Sequence, residues 1–324
     1  MSDLAELETT PCVLCRNTDH TLLYETKDRL CHVAGHFAVV RCNNCGLYYL
    51  SPRPTQGSIG AYYPADYDPF ARRTLQQLPL LQRFSVRYGL RKRCHFIQAY
   101  KPHGRLLDIG CATGQFLAEM RRFPGWQVHG VEPGREAAEF AQHSLGLDVH
   151  QGELASAAYP DAYFDAITMW DVLEHLHEPR EVLSEIARIL KPDGVLALRT
   201  PSLDSWDARA FGPYWAGLDS PRHLAIFSRK TAVALLSCTG FTLRKMTTGG
   251  GSYFINLISL RFWLEEKLPD GVVRRATLGL AGSFLARLAS ALPLTILDRC
   301  GLGSGMMIIA QLTLGDRLRD GTQK

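Results

Sequence analysis

The sequence is defined first by what it has little of. Charge of neither sign dominates: 36 Lys and Arg stand against 32 Asp and Glu, a formal net charge of +4, so bulk electrostatics neither demands nor excludes a polyanionic partner. No apolar run is long enough to cross a bilayer, because the C-terminal apolar stretch is interrupted by Arg287 and Pro293. Internal repeats and low-complexity tracts are absent. So is any basic, apolar, cleavable N-terminal segment, and the expected compartment is the cytoplasm. A chain of 324 residues can bury a substantial core and exceeds one minimal sheet-and-helix domain, so appended pieces are expected.

Cysteine, by contrast, is plentiful. Nine are present, and in a reducing compartment their pairing reads better as metal ligation than as disulfides. Cys12-Val13-Leu14-Cys15 and Cys42-Asn43-Asn44-Cys45 are two knuckles separated by a hairpin-like stretch. Four thiolates converging tetrahedrally suit a structural Zn2+ with no open coordination position. Such a metal holds together a piece too small for its own core. Strand-like flanks, Phe37 to Val40 and Leu47 to Leu50, favour a zinc ribbon over a redox pair, with Cys31 and His32 as substitute ligands. Cys94, Cys111, Cys238 and Cys300 read as buried thiols.

The central turn is short of glycine. Leu106-Leu107-Asp108-Ile109-Gly110-Cys111-Ala112-Thr113-Gly114-Gln115-Phe116, followed by Val128-His129-Gly130-Val131-Glu132, gives a strand, an acid, a glycine turn and a second strand ending in a carboxylate. That is the pattern of a nucleotide-type cofactor site on a parallel sheet. A dinucleotide would need G-x-G-x-x-G to bring backbone to a pyrophosphate, whereas only Gly110 and Gly114 are present and Asp108 would repel phosphate. A carboxylate there favours a cationic ligand, an ammonium or a sulfonium, and S-adenosylmethionine is such a ligand.

The segment Asp108 to Gly114 resembles the first motif of class I S-adenosylmethionine-dependent methyltransferases. The resemblance continues through Phe164-Asp165-Ala166-Ile167-Thr168-Met169-Trp170-Asp171-Val172-Leu173-Glu174-His175-Leu176 and Ile189-Leu190-Lys191-Pro192-Asp193-Gly194-Val195-Leu196-Ala197-Leu198, spanning residues 104 to 247. It implies that Asp108 and Gly110, with Cys111, Thr113, Gly114, Gln115 and Phe116, cradle the methionine part of the cofactor. It implies that Glu132, next to Pro133, grips the ribose, that Gly152, Glu153 and Leu154 border the adenine, and that Trp170 and Asp171 line the transfer site.

The expected fold is α/β: a doubly wound, seven-stranded, mainly parallel Rossmann-like sheet with an N-terminal four-cysteine zinc ribbon and a C-terminal helical insertion. The boundaries are 1–55 for the ribbon, 56–103 for a linker and lid helix, and 104–324 for the methyltransferase domain, with the insertion at 252–299. From Arg105 the order strand, helix, strand, helix implies parallel pairing through right-handed crossovers. Helices are expected at Gly114 to Phe123, Arg135 to Ser144 and Pro179 to Leu190, and at Arg229 to Thr239 between a Ser228 cap and a Gly240 stop. Strands follow at Phe241 to Met246 and Gly305 to Leu314, and the resemblance implies that the last inserts antiparallel. Upstream, Ser51-Pro52-Arg53-Pro54 and the tyrosine-rich Ala61 to Tyr67 read as a surface loop. A helix near 79–100 sets Leu80, Leu81, Phe84, Tyr88 and Phe96 on one side and Arg83, Arg87, Arg91, Lys92 and Arg93 on a solvated basic face. In the insertion, Leu278, Leu280, Ala281, Phe284, Leu285, Leu288, Ala291 and Leu292 form an apolar side, with Arg274, Arg275 and Arg287 for charge. Two readings stay open there: contact with a membrane or lipidic substrate, at the inner face of the membrane, and packing on the sheet or at a dimer contact.

Methyl transfer requires two reactants held in line and, for an O–H, N–H or activated C–H acceptor, a base. Histidine is the natural base near neutral pH, and two lie where open α/β sheets put their ligands. His175 follows the fourth strand in Asp171-Val172-Leu173-Glu174-His175. His223, the preferred base, lies in Asp219-Ser220-Pro221-Arg222-His223-Leu224, on a loop that also carries Trp206, Phe211, Tyr214 and Trp215. The resemblance implies that Glu174-His175 supports the cofactor turn and that the second element borders the acceptor. Tyr62, Tyr63, Tyr214 and Trp215 are candidate walls. The whole chain, including Arg41 to Pro54, resembles bacterial zinc-ribbon methyltransferases of natural-product and surface-glycan pathways, which implies a small-molecule, sugar or lipid-linked acceptor methylated on O or C; a monomer and a homodimer both stay open. An RNA methyltransferase ranks second, and the near-neutral charge weighs against nucleic acid. A non-enzymatic scaffold ranks third, opposed by intact Asp108, Gly110, Gly114 and Glu132.

Overall fold

The computed structural model describes residues 6–64, 80–249 and 252–313. In chain order the N-terminal strands are β1 (Leu7–Glu8), β2 (His20–Thr26), β3 (Phe37–Cys42), β4 (Tyr48–Leu50) and β5 (Arg53–Pro54). Helix α1 (Leu80–Gln98) leads into β6 (Gly104–Ile109), α2 (Gln115–Met120), β7 (Trp126–Glu132), α3 (Arg135–Leu145), β8 (Asp148–Gln151), β9 (Phe164–Trp170), α4 (Pro179–Ile189) and β10 (Leu190–Pro201). Then come α5 (Trp206–Phe211), β11 (Ala225–Ile226), α6 (Arg229–Cys238), β12 (Phe241–Thr248), α7 (Ser252–Lys267), α8 (Val272–Ala281), α9 (Phe284–Arg299) and β13 (Gly305–Leu312).

The main sheet has seven strands in the order β12-β13-β10-β9-β6-β7-β8. Its β10-β9-β6-β7-β8 portion is parallel, while β13 is antiparallel to both neighbours, as expected. Central parallel strands are covered on both faces, which is why β6 and β9 are apolar on consecutive positions rather than alternating. Leu107, Ile167 and Leu196 meet Leu183 and Ile186 of α4 and Leu235 of α6 on one face. Leu106, Ala166 and Val195 meet Ile97 of α1, Leu117 of α2 and Ala138 of α3 on the other. Ser228 forms a reciprocal capping box with Thr231 at the start of α6, and Gly240 ends that region at φ +83°.

The N-terminal piece shares its core with this sheet. Its four antiparallel strands run β11-β4-β3-β2, so one edge is the two-residue strand that directly follows Leu224 of the histidine loop. Cys12, Val13, Leu14 and Tyr49 belong to the same apolar cluster as Leu107 and Leu183.

Several expectations change. The buried side of α1 is Leu90, Cys94 and Ile97, and Leu80, Phe84 and Tyr88 are exposed, because only the C-terminal half of the helix leans on α2 and the sheet. Arg87 and Arg91 are not free in solvent; both pair with Glu119 of α2, whose side chain is buried and draws them in. The insertion is three helices, and the last of them, α9, runs through Pro293. Cys238 and Cys300 are exposed, not buried. Ala65, Asp66 and Tyr67 and the side chain of Leu81 lie outside the described residues. Among the described residues no single helix is long and apolar enough to cross a membrane, although α8 and α9 meet that test together across a 59° bend.

Candidate active site

The turn after β6 is built from contiguous chain. Gly110 and Gly114 have φ +67° and +74°, and a Cβ would come to 2.6 Å from Val172 and 2.4 Å from Leu147 respectively, so both positions require glycine. Glu132, at the end of β7, accepts from the Ala112 N–H at 2.8 Å and the Gly134 N–H at 2.7 Å, one on each carboxylate oxygen. This locks the carboxylate between two turns. Its carbonyl accepts from Gly152 N–H at 3.0 Å, tying the turn after β8 to the same point. Cys111 and Leu154 are buried in the two core clusters, and Thr113 is buried too. Gln115 is half-buried at the start of α2, and Pro133 is exposed. Exposed Glu153 accepts from Gln56 at 2.7 Å.

Asp108 is almost fully buried and accepts from Thr168 Oγ1 at 2.5 Å. Burial pushes its pKa up to about 7 against the pull of Thr168 and Arg93. A buried carboxyl poised in this way suits a cation. The indole of Trp170 packs edge-on to Phe116 at 5.4 Å, and its buried Nε1 has no hydrogen-bond partner among the described residues. Arg93, expected on a solvated face, lies over the Trp170 ring at 4.9 Å and interacts with Asp171 and Asp108, and burial lowers its pKa. Burial alone would raise Asp171, but the guanidiniums of Arg199 and Arg93 outweigh it and hold its pKa below the usual carboxylate range. Asp171 is ion-paired to Arg199.

The two histidines come together. Their ring centroids are 4.6 Å apart, and Nε2 of His223 is 4.0 Å from Oε1 of buried Glu174. His223 Nδ1 contacts the Gly217 carbonyl at 2.8 Å, so that nitrogen carries the proton and Nε2 presents the lone pair. His175 Nδ1 likewise donates to the Arg222 carbonyl at 3.0 Å, with Tyr63 Oη also at 3.0 Å. Burial, then the neighbouring His223, pushes the His175 pKa down to about 3, so this imidazole is neutral near pH 7. Burial, then Asp171, pushes Glu174 up to about 8. Of the candidate walls, Tyr63 reaches this cluster. Tyr62 and Trp215 are buried in packing, the latter donating to Asp207 at 3.0 Å, and Tyr214 lies under Arg29 at 4.8 Å.

Sequence reasoning missed what fixes this loop. Arg222 is fully buried and bridges Asp28 of the N-terminal piece at 2.8 and 2.7 Å, Asp219 at 3.0 and 2.7 Å, and the Tyr62 carbonyl at 3.0 Å. An arginine with two aspartates far apart in sequence carries no local signal.

A family model described as "Methyltransferase domain" matches residues 81–245, just over half of the chain. The chain belongs to that methyltransferase family. It is 30% identical over 176 residues to a ubiquinone biosynthesis O-methyltransferase of Haemophilus ducreyi, covering 50% of this chain and 73% of the relative. It is also 30% identical over 107 residues to an O-methyltransferase of Aspergillus sclerotiorum, covering 31% of this chain and 40% of that one. Among solved structures, geranyl diphosphate C-methyltransferase from Streptomyces coelicolor has a TM-score of 0.47 at 14% identity, covering 76% of this chain and 88% of that one. The protein is thus an S-adenosylmethionine-dependent methyltransferase. Neither the four-cysteine piece nor α7–α9 lies within the matched residues.

In this methyltransferase the thiols of Cys12, Cys15, Cys42 and Cys45 lie within 4.8 Å of one another, with 3.5 Å between Cys12 and Cys45 and between Cys15 and Cys42. A tetrahedron with metal–sulfur arms of about 2.3 Å has edges of about 3.8 Å, so the four sulfurs fit a zinc ion. Cys31 and His32 are not part of the group.

Proposed function

We propose that this methyltransferase O-methylates a hydroxylated small molecule, sugar or lipid-linked acceptor, with His223 taking the acceptor proton. The observation that carries the reading is the His223 side chain, whose Nδ1 is held on the Gly217 carbonyl and whose Nε2 lone pair faces a 4.0 Å gap to Glu174. That distance is too long for a direct hydrogen bond. S-adenosylmethionine supplies the methyl group as an electrophile on its sulfonium. The chain's task is then to bind, align and accept one proton. Asp171 and Asp219, whose pKa values are held below the usual carboxylate range, lie close enough to His223 to interact with it. His175, neutral and anchored, acts as a wall beside it. Asp108, Glu132, Trp170 and the turn residues 110–116 form the cofactor side, with Gly152 to Leu154 at the adenine edge. The four cysteines hold a structural zinc that keeps the N-terminal piece, residues 1–55, folded against the methyltransferase domain. The O-methyltransferase relatives support oxygen as the acceptor atom. The engagement of Arg87 and Arg91 by Glu119 removes part of the basic face that an RNA substrate would need.

The test is transfer of labelled methyl from S-adenosylmethionine to a panel of phenols, sugars and isoprenoid-linked hydroxyls, with RNA as control. Label in a methyl ether is expected, and His223→Ala should lower kcat about 100-fold with cofactor affinity kept. Unchanged turnover in that variant, or label in RNA, would sink the proposal.

A further inference from the structure

The insertion exposes apolar surface that nothing in the described chain covers. On α9, Phe284, Leu288, Leu292 and Ile296 recur at every fourth position, one face of the helix, and are 52 to 69% exposed. Helix α8 has no buried residue, and Val272, Val273 and Leu280 are exposed on it. On α1, Leu80, Phe84 and Tyr88 make a second ladder of the same spacing, 66 to 71% exposed. The two ladders belong to neighbouring helices, since Arg287 of α9 reaches Ser85 of α1 at 3.4 Å and lies over the Tyr253 and Phe254 rings of α7. Apolar surface this extensive is a contact site or a liability.

Charge selects the occupant. The first half of α1 with α8 and α9 carries six basic residues, Arg83, Arg87, Arg274, Arg275, Arg287 and Arg299, and one acid, Asp298; Arg87 is paired with Glu119, and Arg274 and Arg275 lie beside Asp270, which leaves Arg83, Arg287 and Arg299 as the rim's principal cations. Asp298 is already engaged by Ser252. A second copy docked on this face would set arginine against arginine, whereas an anionic bilayer meets both the apolar ladders and the basic rim. The 59° bend between α8 and α9 breaks the pair as a straight span, and two bent helices can both lie in the plane of the interface.

We propose that α8, α9 and the first half of α1 form a platform that docks the methyltransferase on an anionic lipid surface. The platform goes beyond methyl transfer and holds whichever acceptor is methylated. Its position has one consequence for the site: α1 carries the platform at its N-terminal end and Arg93 over Trp170 at the other, so docking bears on the helix that closes the cofactor side.

Flotation of the full chain with vesicles of phosphatidylcholine, with and without about 30 mol% phosphatidylglycerol, tests the platform. The wild type should float with the anionic vesicles at least about tenfold more than Phe284→Glu/Leu288→Glu, and the attachment should weaken with salt. Cofactor affinity of that variant, unchanged from wild type, establishes that it is folded. Absence of vesicle binding at low salt would overturn the proposal. So would a homodimer in solution that the same double substitution dissolves while no vesicle binding is found.

Discussion

The two sides of the proposed site are built in opposite ways. The proposed cofactor side is centred on one contiguous β-turn-α-β unit, in which Gly110, Gly114 and Glu132 lie within 23 residues and Glu132 bonds the backbone of its own turns, with Trp170 and Arg93 added from β9 and α1. The histidine side is gathered from Asp28, Tyr63, Glu174 and the 219–223 loop, held by one buried arginine. The first can be preorganised by local geometry alone; the second exists only when the N-terminal piece is docked.

Breaking the long-range side should have the largest effect. Arg222→Met removes the counter-charge of fully buried Asp28, which keeps its Leu30 and Cys31 N–H bonds, and loss of one partner of a buried ion pair costs about 3–5 kcal/mol, to be read as a drop in unfolding free energy. On the local side, Glu132→Ala hands the N–H groups of half-buried Ala112 and exposed Gly134 to water, so it should change the melting temperature little while weakening S-adenosylmethionine binding about 100-fold by calorimetry. His175 sharpens the comparison through pH. Its folded pKa is depressed from 6.5 to about 3, so below pH 6.5 the unfolded chain takes up a proton that the folded chain refuses. Stability should therefore fall with pH by up to about 1.4 kcal/mol per unit below that value, a slope that His175→Gln removes. Asp108 gives the smallest effect. Raised to about 7, it must ionise fully to meet a cation, so cofactor affinity should decline as pH falls below 7, by less than about tenfold per unit, and Asp108→Asn should flatten the profile.

The same contrast explains what could be read from the sequence. The alternating parallel strands and helices and the Asp108 to Glu132 unit follow from periodicity and short-range spacing, which act over one helix or strand, while the seven-strand count and the antiparallel last strand come from the family resemblance that those motifs carry. Closure between distant segments left no such trace. Arg93 has the spacing of a surface helix residue, and it enters the site because α1 leans on α2 only through its C-terminal half. Strand β11 is two residues long and is a strand only because β4 lies beside it. The four cysteines are the exception: far apart in sequence, they were legible because metal ligation leaves a paired spacing.

The central claim is that the two sides are separable, one holding the cofactor and the other moving the proton. Cofactor affinity and methyl transfer measured side by side on Glu132→Ala and His223→Ala test it most directly. The account predicts that His223→Ala keeps S-adenosylmethionine affinity within about twofold while transfer collapses, and that Glu132→Ala loses affinity first. Equal loss of affinity in both variants would contradict it.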